Sequence, residues 1–93
     1  MASFLVRVEL HNATWDDYER LHSEMGNRGF SREVTGDNGQ IYQLPTAEYV
    51  THSASGLENV RVLAAKAAHT TGRKYGVIVA EYSRSAWVGL ASA

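Results

Sequence analysis

Apolar residues hold every second position from Phe4 to Leu10, with Phe4, Val6, Val8 and Leu10 on one face and Leu5, Arg7, Glu9 and His11 on the other. Such alternation predicts a strand buried on one side. After the polar stretch His11-Asn12-Ala13, Thr14 is placed to cap a helix whose first turn carries Asp16 and Asp17, where carboxylates suit the helix dipole. Trp15, Tyr18, Leu21, His22 and Met25 then recur at helical spacing, and Gly26 and Gly29 bracket the end.

Phe30 to Thr35 reads as a short second strand, and Gly36-Asp37-Asn38-Gly39 has the chemistry of a hairpin turn. The third strand is expected from about Gln40 to Thr51. Pro45 has no N–H to give to a ladder, so a kink is expected near Leu44-Pro45. Ser55-x-x-Glu58 has the form of a capping box, and Leu57, Val60, Ala64, Ala67, Ala68 and Thr71 define a helical stripe ending at Gly72. Tyr75 to Tyr82 is a nearly continuous apolar run, the pattern of a strand buried on much of both faces. In Ser83 to Ala93, the Ala-Trp-Val-Gly-Leu run can form a short extra strand that closes a sheet edge or joins a second chain as a homodimer.

The elements therefore run β-α-β-β-α-β, the order of a ferredoxin-like α+β sandwich. Right-handed crossovers interlock the two halves as one four-stranded antiparallel sheet in the order 4-1-3-2, with both helices on one face. We further expect the first and third strands to lie side by side and to run in the same direction. His11 and His52 would then share a rim with both helix N-termini.

Length and composition fit this picture: 93 residues, 44% hydrophobic and 20% charged, make one domain over residues 1–93. With no Cys there is no disulfide, thiolate metal site or thiol nucleophile, which fits a reducing compartment. Arg7 and Glu9 interrupt the N-terminal apolar run, no stretch approaches a membrane span, and a cytoplasmic location is the default. A net charge of -1 and a pI near 6.4 lack the basic footprint of a duplex-DNA binder. A single strand needs only a local groove of cations and aromatics.

The expected rim gathers Glu9, His11, His52, Ser53 and Ser55 beside free helix N–H groups, a set able to hold a phosphate and move a proton. RNA cleavage by attack of a 2′-OH needs one group to take that proton and another to protonate the leaving oxygen, and a histidine pair can do both. The same imidazoles can equally be solvated loop residues, and His22 can be a histidine at the edge of the core. Tyr42, Tyr49, Tyr75, Tyr82, Trp87 and Phe30 can stack bases where they face open sheet, or fill the core. The four His have no metal-ligand spacing, and no phosphate-cradling or nucleophile-elbow motif is present, so no cofactor is expected.

Glu9, Arg20-Leu21, Met25, Phe30-Ser31 and the run Gly39-Gln40-Ile41-Tyr42-Gln43-Leu44-Pro45, followed by Glu48-Tyr49, resemble the GhoS family of type V toxin-antitoxin antitoxins over roughly the first half of the chain. The resemblance implies a ferredoxin-like fold similar to the small CRISPR-adaptation nucleases. It also implies an endoribonuclease that cuts single-stranded RNA, the message of a membrane toxin. The family's functional positions in the first helix and third strand fall on His22, which departs from the family's Arg, and Tyr49. Glu9 matches a strand-end acid that is metal-associated in the nuclease relatives. This reading assigns proton transfer to His11, His22 or His52 with Glu9, and RNA contacts to Arg7, Arg32, Tyr49, Ser53 and Ser55. The alternative is a non-catalytic module of the same fold that binds RNA or protein, or homodimerises.

Overall fold

The computed structural model describes residues 1–93. Five strands and two helices follow in the order β1 (Ala2–Leu10), α1 (Trp15–Asn27), β2 (Glu33–Thr35), β3 (Ile41–Gln43), β4 (Glu48–Ser53), α2 (Leu57–His69) and β5 (Tyr75–Tyr82). β1 is central in a three-stranded antiparallel sheet of order β4-β1-β5, and β2 and β3 form a separate hairpin.

The alternation of β1 sets the core. Phe4, Val6 and Val8 are fully buried, and Leu10 nearly so, each worth roughly 1.5–3 kcal/mol of burial. They meet Leu21 and Met25 of α1 and Val60, Ala64, Ala67 and Ala68 of α2. The Ala-rich stripe lets α2 sit close to the sheet, because a methyl group holds the backbones less far apart than a larger side chain does. α1 starts as expected: the Thr14 side chain accepts from Asp17 N, and the Thr14 N–H donates to Asp17 Oδ2 at 2.9 Å. α2 starts differently. Gly56, at φ +90°, is the N-cap residue without a side-chain cap, and Ser55 spends its N–H on Ser53 Oγ.

Three further expectations are corrected. The long third strand is two strands, because Pro45 cannot pair and Glu48 N closes a turn onto its carbonyl. Gln43 and Glu48 then belong to different sheets. The single four-stranded sheet is reduced accordingly. Of the segment before the hairpin, only Ser31 forms a backbone bridge to β4, through a pair of 2.8 Å bonds with Val50. Finally, Tyr75–Tyr82 is an edge strand paired only to β1, with Val77 and Val79 toward the core and Ile78 66% exposed. The helices cover one face, so the run is apolar without being buried on both sides.

The C-terminal residues do not close that edge. They fold back across the open face and continue the hairpin: Gln43 N donates to Ala91 O, and Ala93 N donates to Ile41 O. The outer edge of β5 stays unpaired, and the tail strand is engaged within its own chain.

Candidate functional site

The expected histidine rim does not form. β4 runs antiparallel to β1, with Ser3 opposite His52 and Arg7 opposite Glu48. A right-handed crossover makes β1 parallel to the segment that returns after α1, and the strand between them must run the other way. His52 therefore shares a 2.8 Å hydrogen bond with Ser3 Oγ at the start of β1, whereas His11 lies past its far end, roughly 26 Å away at strand rise. The helix N-termini separate in the same way: α1 starts beside the end of β1, α2 beside its beginning.

Glu9 and His11 stand exposed at one end of the sheet, and the carboxylate of Glu9 is 4.0 Å from Arg7. At that end Arg73 Nε donates to Asp17 Oδ2 at 2.8 Å and Arg20 Nε to Thr70 O at 3.1 Å, tying α1 to the end of α2. Asp17 is held below the usual carboxylate range, first by the Thr14 N–H and then, against some desolvation, by Arg73. Ser53 and Ser55 remain together at the opposite end with His52.

A different cluster lies under α1. Tyr49 points from β4 toward the helices and is fully buried, so its ring is not open to stack on a base. Its hydroxyl shares a 2.6 Å hydrogen bond with His22 Nδ1. Burial, and then the charge of Arg32, lower the His22 pKa to about 4, so the imidazole is neutral at neutral pH. Burial raises the Tyr49 pKa, keeping the phenol protonated. His22 Nε2 and Arg32 Nε are buried without hydrogen-bond partners, while Arg32 Nη2 reaches Leu44 O at 3.4 Å. Trp15, expected on the buried stripe, is instead 60% exposed, edge-on to His22 with its Nε1 donating to Glu19.

Of the sequence-derived candidates, the structure thus joins His22, Tyr49 and Arg32 and separates Glu9 and His11 from His52, Ser53 and Ser55. Arg7 stands apart on the open face of the sheet. That Trp15 edges His22 follows from their spacing of seven residues along α1. The approach of Arg32 had no local signal, because it depends on how the hairpin leaves α1. No three His, Asp or Glu side chains converge as a metal site would require, and no helix is long and apolar enough to cross a membrane.

The elements define a small α+β domain with antiparallel sheets and two helices on one face, carrying a half-buried neutral imidazole beside a guanidinium. Within that class the chain belongs to the GhoS family, matching the family described as Endoribonuclease GhoS over residues 1–86. A search among curated proteins gave no match.

Proposed function

We propose that this chain is a GhoS-like antitoxin, an endoribonuclease that cuts single-stranded RNA, its target being the message of a toxin. The observation that carries this reading is the family match across residues 1–86, which includes every residue of the His22 cluster. His22 is the proposed base. With Nδ1–H donating to the Tyr49 oxygen, the lone pair on Nε2 takes the proton of a 2′-OH once the side chains that cover it move aside. The freed O2′ attacks phosphorus, the P–O5′ bond breaks, and the departing 5′ oxygen takes a proton from water, whose hydroxide is neutralised by the proton held on His22. Products are a 2′,3′-cyclic phosphate and a 5′-hydroxyl. Arg32 offsets charge on the phosphate, and Tyr49 acts through His22 rather than on a base. Arg7 on the open face, with Ser53 at the end of β4 and Ser55 just after it, contacts the flanking strand.

One observation favours a second reading, a non-catalytic RNA-binding module of the same fold: both His22 nitrogens are turned inward. Cleavage of a labelled single-stranded RNA by wild type, His22→Ala, His11→Ala and His52→Ala separates the two. The catalytic reading expects His22→Ala to lose about 100-fold or more while the other variants retain activity. Equal background cleavage by all four proteins, with RNA still shifted in a gel, selects the binding module.

A further inference from the structure

The open face of the sheet carries a cleft of about 390 Å³ that the His22 chemistry does not use. Its floor is apolar. Leu5 stands opposite Val50 in the β1–β4 register, and Tyr82 stands opposite Ser3 across the other edge of β1. One wall is Trp87 of the folded-back tail, whose ring rests against Tyr42 at 5.8 Å between centroids and keeps 36% of its surface exposed. Two charged side chains, Glu48 and Arg84, also line the cleft, and neither belongs to any ion pair of the chain.

An unpaired carboxylate and an unpaired guanidinium around an aromatic-walled apolar cleft restrict what fits. A fatty acid would pair its carboxylate with Arg84 but would bring only methylenes to Glu48, leaving that carboxylate without a donor. A flat ring that stacks on Trp87, offers N–H donors to Glu48 and carries a phosphate for Arg84 uses all three features. We propose that this cleft is a nucleobase subsite that takes one unpaired base of the RNA, with Trp87 stacking, Glu48 accepting from an exocyclic amino group and Arg84 meeting the adjoining phosphate. The inference rests on the ribonuclease reading, because it names the part of the substrate this face receives. Adenine, cytosine and guanine carry an exocyclic amino donor, whereas uracil has carbonyl oxygens in its place and offers the carboxylate only its ring N3–H. The subsite therefore discriminates against uracil. The stacking ring lies just beyond residue 86, where the family match ends, so the subsite combines matched residues with the tail.

The test is an NMR titration of the wild-type protein with adenosine 5′-monophosphate and with uridine 5′-monophosphate, following the Trp87 indole N–H and the Leu5 and Val50 amides. Adenosine monophosphate is expected to shift these signals with an affinity about 5- to 10-fold above that of uridine monophosphate. Glu48→Gln, which can donate as well as accept, is expected to bring the ratio below about 3-fold while the rest of the spectrum stays unchanged. Arg84→Gln is expected to weaken both nucleotides alike. Shifts confined to other surfaces, no shift at all, or a ratio unmoved by Glu48→Gln overturns the inference. RNA cleavage without these shifts defeats the subsite and leaves the ribonuclease reading standing. Shifts in a protein that cleaves no RNA defeat the ribonuclease reading and leave the base-binding cleft.

Discussion

His22 Nδ1 and the Tyr49 hydroxyl lie 2.6 Å apart, in a bond that joins α1 to the start of β4. Tyr49→Phe removes the hydroxyl and leaves Nδ1 without its partner in a partly buried setting. A loss of about 1–2 kcal/mol is expected, lowering the thermal midpoint by roughly 4–8 °C per kcal/mol for a domain of this size. Melting followed by circular dichroism measures it, and an unchanged midpoint would mean that the bond contributes nothing net.

The same histidine makes stability depend on pH. Its folded pKa is about 4, against 6.5 for the free side chain. The unfolded chain therefore binds more protons between those values. Stability from this group is complete above pH 6.5 and falls as the pH drops toward 4. Full burial would make this about 3 kcal/mol, and partial exposure reduces it to roughly 1–2 kcal/mol. Denaturant unfolding of wild type and His22→Gln at pH 7 and pH 4.5 checks the sign, since the variant should lose less on acidification.

Activity carries a related signature. If His22 is the base, its low pKa leaves it unprotonated throughout the neutral range. The rate of RNA cleavage should then hold steady between pH 8 and pH 5.5 instead of dropping near 6.5. A decline centred near pH 6.5 would point to an imidazole with an ordinary pKa as the base.

Thr14 caps α1 through its side chain and, with Asp17, satisfies both ends of a capping box. Thr14→Ala is expected to cost about 1 kcal/mol. The loss should show in equilibrium unfolding without a change in m-value.

The tail and the hairpin hold each other: Gln43 N donates to Ala91 O, and Trp87 packs edge-on against Tyr42. Trp87→Ala should speed hydrogen exchange at Gln43 and Ala93 at least several-fold and leave the amides of β1 at wild-type rates. Uniform acceleration across all strands would instead mean that the tail is part of the main cooperative unit.

Much of the fold was readable along the chain. The alternation of Phe4, Val6, Val8 and Leu10, the Thr14 cap, the Gly36–Gly39 turn and the Val60-Ala64-Ala67-Ala68 stripe are local patterns, and each sits where its periodicity places it. Pro45 announced a disturbance but not its size, because whether a missing N–H bends a strand or divides it depends on what else can pair with the flanking residues. The apolar run of β5 was misleading for a similar reason: composition records hydrophobicity, and only the number of covering layers turns it into burial.

The candidate site divides along the same line. By itself the sequence determined which side chains are able to move protons, accept them or stack, and it marked His22, Tyr49 and Arg32 among several others. Only the tertiary structure decided that His52 runs back to Ser3 and away from His11, that Tyr49 turns inward onto His22, and that Glu48 and Arg84 face one cleft without pairing elsewhere. The physical reason is strand direction. Reversing one strand against its neighbour changes no local pattern of apolar and polar residues, yet it exchanges which ends of the chain meet.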